Sequence, residues 1–549
     1  MNYRIIILGW IVYLLFSDFL IAQTSQAIES GSLYKTNQSV LFGSDIIINN
    51  IPTEDQRNVA ICSAYNGWLY SCYWRPDNSG YSYYIMRSTD SGMSWTELFT
   101  VHYQSSSEKV ITKMDIVACG NNSSNLKVFL GMVITYLPTY QGQGVVLRFN
   151  GFTGDYEDEI LKDQDSYVHD LALSNDFMYP ATNSNPNSVA VLYSKGSPFF
   201  SYEKLVFCSS SNEGISFDHV QEIITSATRH FFHVDLTYGR CPSKNTGRYF
   251  ATWEDKSSLL DSSGHIYTAH TEPFFDSPMT SPVCLDSLDQ SAINVCHRPV
   301  IACQFDDIDN DSANLTQLVL FEKFEKETNS YKIKGYYNKQ STSTSHFNEF
   351  IFNNSTHINV QSDIAYNPFD NTFMLTYFDS TTKKLPLLTN NLNMTDPNNW
   401  DVVTSGYNDN SNIGAPFPMI KLNPWQNSSV NVWISDGSGN NGIAMFDAPY
   451  GIYPGFSERN EMKCTRHFKA YPIPCDSYFT IAFLAEKEKQ IQITLCNQLG
   501  QPIMKFADNV FPAGNHRIKA DVSKLPAGNY FLLFNNGNFF ESGKIIIIR

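Results

Sequence analysis

Positive charge is in short supply in this chain. Its 549 residues hold 38 Lys and Arg against 54 Asp and Glu, a formal net charge of −16. Such a surface repels nucleic acid and anionic membranes, so neither is expected as a partner, and it suits solubility outside the cell. Arginine is sparse between residues 57 and 450, where only Arg57, Arg75, Arg87, Arg148, Arg229, Arg240, Arg248 and Arg298 occur. The sequence has no Cys-x-x-Cys pair and no His/Cys group at zinc-ligand spacing. It also lacks a capped amphipathic helical pattern over any long stretch, which excludes the common helical architectures.

A long clean apolar run is missing too. At the N-terminus, Arg4 is followed by an apolar segment over 5–16 and then by Leu20-Ile21-Ala22. Asp18 interrupts the segment, and a membrane span needs about 20 consecutive apolar residues. Residues 1–22 are therefore expected to be a cleaved signal peptide. No Cys lies at the cleavage point, which argues against a lipoprotein. Eleven cysteines lie in the rest of the chain, an odd number, so at least one thiol is free or paired between molecules. Cys62 and Cys72 flank a hairpin with Asn66-Gly67 at its turn; whether they face each other depends on the strand register.

What the chain has in quantity is aromatic and β-forming sequence: 14% is Phe, Trp or Tyr and 42% is hydrophobic. A polar lead-in runs over 23–56. A short apolar strand followed by a longer one then recurs, with units starting at 58, 115, 170, 235, 299, 363 and 418. Asn, Ser, Asp, Gly and Pro clusters connect them. Units of about this length fit four-stranded propeller blades with loop insertions. The fold expected over 57–450 is an all-β propeller. Seven blades is the simplest count, with six or eight compatible because the first and last blades are often completed by distant strands.

Two turns mark equivalent points of this repeat. Ser88-Thr89-Asp90-Ser91-Gly92-Met93-Ser94-Trp95 follows a strand-like run at 83–87. Asp90 can accept backbone N–H groups, Gly92 can take φ > 0, and Trp95 can fold back as an apolar anchor. A weaker copy is Ser210, Asn212, Gly214 and Phe217 at the same spacing. These turns resemble the Asp-box, or BNR repeat, of sialidase-like β-propellers. In that family the box is a structural staple.

Past residue 450 the pattern changes. Residues 451–470 read as a linker, and 471–549 as alternating strands with Gly turns, a small Ig-like β-sandwich. The module opens with Tyr471, Pro472 and Pro474. It continues through Asn497-x-x-Gly500 and the run Leu525-Pro526-Ala527-Gly528-Asn529-Tyr530, and ends on Lys544 with a β-branched strand. It closely resembles the type A C-terminal sorting domain of the type IX secretion system of Bacteroidetes-like bacteria. One departure is Ile473, where that family usually carries Asn. The resemblance implies export to the periplasm, then transport across the outer membrane by the type IX machinery. The cargo is then attached to the cell surface or released.

For chemistry, two constellations stand out. Asp115, Asp170, Asp235 and Asp363 start the first strands of their units, so blade symmetry predicts a ring of carboxylates around the axis. Such a ring could hold a cation such as calcium, or a polyol, at the channel mouth. The simpler reading is a repeated structural acid holding N–H groups of the next blade. Asp306, Asp307, Asp309 and Asp311 form an acidic loop that lacks the Gly and Glu of a calcium loop.

The second constellation is Arg57 and Arg75 beside the first Asp-box. The sialidase resemblance implies a three-arginine clamp, a Tyr–Glu nucleophile pair and an Asp acid/base. The family's Arg-Ile-Pro motif is absent, and no third clamp arginine can be assigned. The functional expectation is a secreted or cell-surface protein whose propeller binds an extracellular glycan or protein, with no cofactor. The alternative is a sialidase-type glycoside hydrolase. A binder would show an exposed aromatic such as Trp68, Trp74 or Trp253 at one mouth, although their strand positions favour core packing.

Overall fold

The computed structural model describes residues 42–449 and 468–547, apart from segments of the connecting loops. Residues 1–22, expected to be a signal peptide, the acidic loop at 306–311, and Pro472, Pro474 and Gly500 lie outside the described residues. The described residues form thirty-five strands and no helix.

Seven four-stranded antiparallel sheets make a seven-bladed β-propeller. Blade 1 runs Arg57–Ser63, Leu69–Asp77, Gly80–Ser88 and Thr96–Gln104, from the innermost strand outwards. Blades 2 to 6 repeat this plan, with innermost strands Lys109–Cys119, Tyr167–Ser174, His230–Cys241, Cys296–Cys303 and Asn359–Asn367. Blade 7 has Met419–Asn423, Ser428–Ser435 and Ile443–Asp447. Its outermost strand is Ile46–Ile47, which pairs antiparallel with the last of these. The lead-in thus closes the ring: Ile46 faces Phe446 and Ile47 faces Met445. Gln56 adds to the seam, its Oε1 accepting the Ala444 N–H at 2.8 Å.

Burial follows from this stacking. The second strand of blade 1 is buried on both faces because it lies between two neighbouring blades, whereas the outermost strand Thr96–Gln104 is mostly exposed. Strands covered on both sides read as near-continuous apolar runs, the pattern behind the repeat in the sequence. The propeller core is seven seams between adjacent blades. Trp74, Trp253 and Trp433 are fully buried in these seams. Trp68 is partly buried, against Phe152 at 4.6 Å. The tryptophans considered as exposed ligand platforms are therefore packing residues.

The turns at Ser88–Trp95 and Ser210–Phe217 have one geometry, each between the third and fourth strands of its blade. Gly92 N donates to Ser88 Oγ at 2.8 Å, and Asp90 Oδ1 accepts from Ser88 Oγ at 2.8 Å and Ser94 N at 2.9 Å. In the copy, Gly214 N donates to Ser210 Oγ at 3.0 Å, and Asn212 Oδ1 accepts from Ser210 Oγ at 2.8 Å and Ser216 N at 3.0 Å. Gly92 and Gly214 have φ of 93° and 70°, the region where glycine has no Cβ penalty. Each turn leans on the preceding blade. Trp95 meets Phe446 of blade 7 edge-on at 5.4 Å, and a Cβ on Gly214 would lie 2.8 Å from Phe129 of blade 2. Phe217 is partly buried in the same seam as Phe129.

The C-terminal module is two sheets. One joins Phe468–Tyr471, Tyr478–Ala485 and Gly514–Asp521. The other has the order Pro502–Phe511, Lys489–Cys496, Gly528–Asn535, Phe540–Ile547. Phe479, Ile481 and Phe483 of the first sheet pack with Ile493, Leu495, Leu532 and Phe534 of the second. The first strand begins at Phe468, inside the stretch that reads as linker in the sequence. Tyr471 ends that strand, Gly528 opens the strand carrying Tyr530, and Lys544 pairs with Phe531. Leu525 packs against this core, and the buried Tyr530 donates its hydroxyl to Pro526 O at 3.0 Å.

Candidate functional site

The four repeated aspartates do form a ring, inside the channel. Each spans to the next blade. Asp115 accepts Ile116 N with one oxygen and Leu173 N of blade 3 with the other, both at 2.8 Å. Asp170 accepts Leu171 N and Val234 N. Asp235 accepts Leu236 N and Ile301 N, and Asp363 Oδ2 accepts Ile420 N at 2.8 Å. These carboxylates are blade-to-blade staples, an arrangement that satisfies orphan strand-end N–H groups.

Nor is the ring purely acidic, as the sequence suggested. Lys113 Nζ lies 3.5 Å from Asp170 Oδ1, and Lys421 lies near Asp363, Asp235 and Asp115. Burial raises the Asp235 carboxyl to about 7, with Lys421 opposing, and burial also raises Asp115 and Asp363. Asp115, Asp235 and Lys421 border an axial cavity of about 170 Å³ that all seven innermost strands line.

The N-terminal ends of the innermost strands frame one mouth of the channel, and little in the sequence marks what gathers there. Several of these strands carry a bulge whose outlying residue has φ > 0: Asn58 (54°), His233 (48°), Arg298 (49°) and Gln361 (54°). Phe417 (43°) sits just before the innermost strand of blade 7. Non-glycine residues in this region are uncommon and, for a bulky side chain, strained. The bulge re-aims side chains that a regular strand would bury.

Buried glutamates hold these bulges. Glu254, on the second strand of blade 4, is fully buried; it contacts His233 Nδ1 at 2.6 Å and His297 Nδ1 of blade 5 at 2.7 Å. Lys256 Nζ lies 3.0 Å from the same carboxylate. Burial alone would raise the Glu254 carboxyl, but the two histidines outweigh it and hold it well below the usual range. A carboxylate only accepts, so each Nδ1 carries the hydrogen and each Nε2 is left for another partner.

Glu322 occupies the equivalent position in blade 5. It accepts from Arg298 Nη1 at 3.2 Å and from Gln361 N of blade 6 at 2.7 Å. Gln361 Oε1 in turn accepts Phe417 N at 3.0 Å. The Arg298 guanidinium lies 5.8 Å from the centre of the Phe417 ring, which is 51% exposed. Towards blade 3, Glu203 accepts His230 Nδ1 at 2.5 Å, lies 3.5 Å from His169 Nε2, and is held low by these histidines against the upward push of its burial. The His169 and Phe232 rings lie 5.9 Å apart.

The result is a continuous arc across blades 3 to 7: His169, Phe232, His233, His297, Arg298, Gln361 and Phe417. Its acids, Glu203, Glu254 and Glu322, are buried, while the arc carries N–H donors and two aromatic rings, of which Phe417 is exposed. The signals in the sequence were His297-Arg298 opening a first strand and a Glu in the second half of the next one, Glu254 in blade 4 and Glu322 in blade 5. Neither is specific without the fold.

The arginines of the sialidase resemblance lie on separate partners. Arg57 pairs with Asp55 at 2.5 Å and stacks 5.4 Å from Trp74. Arg75 lies 3.5 Å from Asp77, Arg87 donates to Phe152 O at 2.6 Å, and Arg229 pairs with Asp255. Cys62 faces Tyr70 and Cys72 faces Ala60, so the two thiols are diagonal neighbours, and both are free.

Fold and tail together define an exported β-propeller protein with a separate sorting module. Residues 469–548 match the family model of the secretion system C-terminal sorting domain. The module is a type IX sorting domain, and the protein is exported by that system to the cell surface or the extracellular space. Its sorting tail implies contact with the type IX machinery. No curated protein matches the chain.

Among solved structures, the α-L-arabinofuranosidase Arb93A from Fusarium graminearum is 10% identical, with 74% of this chain and 97% of that one covered and a TM-score of 0.41. An α-L-arabinanase from Penicillium chrysogenum is 11% identical, with 74% and 98% covered and a TM-score of 0.42. The polysaccharide lyase Uly1 is 8% identical, with 78% and 94% covered and a TM-score of 0.45.

Proposed function

We propose that the propeller is a glycan-binding platform and that its site is the axial mouth framed by His233, His297, Arg298, Gln361 and Phe417. The observation that carries the reading is Phe417. A large aromatic held half-exposed at φ 43°, pinned through its backbone by Gln361 and flanked by Arg298, is costly to maintain without a use. A sugar ring presents an apolar C–H face that packs on such a ring, and hydroxyls that pair with imidazole, amide and guanidinium groups. The buried Glu254 and Glu322 fix the directions of those donors, so little side-chain freedom is lost on binding. With its acids buried and paired, the site faces a ligand with N–H groups, although the chain as a whole is acidic.

The test is calorimetric titration of the purified full chain against neutral and uronate-containing oligosaccharides found to bind on a glycan array. Truncating a central aromatic anchor typically costs 2 kcal/mol or more, so Phe417→Ala should weaken binding by about 30-fold. Trp95→Phe, remote from the mouth, should leave it unchanged. Equal affinity of Phe417→Ala and the parent chain would overturn the assignment. Array silence together with capture of a defined extracellular protein through the same mouth would replace the glycan with a protein ligand.

A further inference from the structure

A second cluster lies away from the axial mouth, in blade 4. His265 sits on the third strand, Gly264–His270, and Cys284 ends the outermost strand, Val283–Cys284; the two strands pair. Asp286 follows two residues later. His265 Nδ1 lies 3.1 Å from Asp286 Oδ2, and Cys284 Sγ lies 3.3 Å from Asp286 Oδ1. One ligand atom from each of the three residues falls within 4.8 Å of the others. Cys296, at the start of the innermost strand of blade 5, is fully buried and also hydrogen-bonds Asp286. Two thiols, an imidazole and a carboxylate therefore converge from two blades.

We propose that His265, Cys284, Asp286 and Cys296 form a structural zinc site that clamps blade 4 to blade 5. Zinc bonds of about 2.0–2.3 Å in a tetrahedron place ligand atoms about 3.3–3.8 Å apart. The 3.1 and 3.3 Å separations on Asp286 are close to this. The ligand atoms of His265, Cys284 and Asp286 lie within 4.8 Å of one another, and they and the Cys296 thiol draw together when the ion binds. The donor set decides the metal class. Two sulfurs and a nitrogen suit a borderline-soft ion; calcium and magnesium take six or more oxygens and are excluded by it.

The site has a second shell as well. Ile266 N donates to Asp286 Oδ1 at 3.1 Å, and this backbone bond orients the carboxylate. Three of the ligands are largely shielded, while the His265 side chain is 51% exposed and offers an entry path. Sequence spacing hides the site because its ligands come from three strands and a loop, with no Cys-x-x-Cys element.

The experiment uses the full chain, purified with a non-thiol reductant, stripped with a chelator and titrated with Zn²⁺ and with Co²⁺. The expected result is one equivalent of zinc retained through dialysis. The cobalt form should show the visible bands of a tetrahedral ion and a near-ultraviolet thiolate charge-transfer band. His265→Ala changes an exposed side chain and should fold, yet weaken zinc binding at least tenfold; Cys284→Ser should weaken the charge-transfer band. The proposal is overturned if the parent chain retains no zinc. It is overturned equally if both variants retain zinc as the parent does, or if mass spectrometry of the unreduced secreted protein finds a Cys284–Cys296 disulfide.

Discussion

Removal of the Trp95 side chain tests whether the Ser88–Trp95 turn is what locks blade 1 onto blade 7. Trp95 is buried in the seam that includes Val430, Val432, Ala444 and Phe446, and it meets the Phe446 ring edge-on at 5.4 Å. That seam is also where the ring closes through Ile46–Ile47, so its loss opens the propeller. Emptying a buried aromatic site costs about 3–5 kcal/mol, and each of Trp95→Ala and Phe446→Ala should fall in that range. An aromatic pair contributes about 0.5–1.5 kcal/mol beyond its buried area. The double variant should therefore be more stable than the sum of the two losses by about that amount. The assay is urea denaturation of the full chain followed by far-ultraviolet circular dichroism, because a fluorescence signal would change with the tryptophan itself. Gly92→Ala adds a second reading: its Cβ would come within 2.0 Å of Phe446 Cε1, so part of its cost should vanish in the Phe446→Ala background. A Trp95→Ala midpoint equal to that of the parent, or losses additive to within about 0.3–0.5 kcal/mol, would refute the seam as the locking contact.

Three further outcomes follow from the same structure. Burial raises the Asp235 carboxyl to about 7, above its unfolded value near 3.9, so between about pH 4 and 7 the folded state binds more protons and stability falls as pH rises. The melting temperature should fall over that window, and Asp235→Asn should flatten the decline; an equal slope in both proteins would refute a raised Asp235. Deleting residues 471–549 should leave the propeller in the periplasm, and secretion of the truncated chain at the parent level would refute the separable role of the tail. Arg57 is held by Asp55 and Trp74, so the full chain should show no Arg57-dependent turnover of an aryl sialoside; turnover lost in Arg57→Ala would restore the sialidase alternative.

The division between what the sequence determined and what the tertiary structure decided follows a physical line. Covalently local order was legible. Strand pairs buried between blades produce apolar runs that recur, and the seven units read from them start within one to six residues of the innermost strands. The turn from Ser88 to Trp95 is built from its own side chains and backbone, so its residue types reveal it. The sorting module could be read because its strands, turns and core lie within one short segment.

Contacts between distant segments were not legible. Nothing in Ile46-Ile47 says that it pairs with residues about four hundred positions later, because two apolar residues carry no register. The aspartate repeat showed that a ring forms, but Lys113 and Lys421 enter it from strand positions that no periodicity marks. The mouth depends on backbone bulges. A bulge shifts side-chain direction by one residue, and only the paired strand shows where that happens. Glu254 joins His233 and His297, which lie 64 residues apart. Asp286 likewise gathers His265, Cys284 and Cys296. Each acid needs partners that only blade stacking delivers, so their chemistry became visible only when the ring was closed.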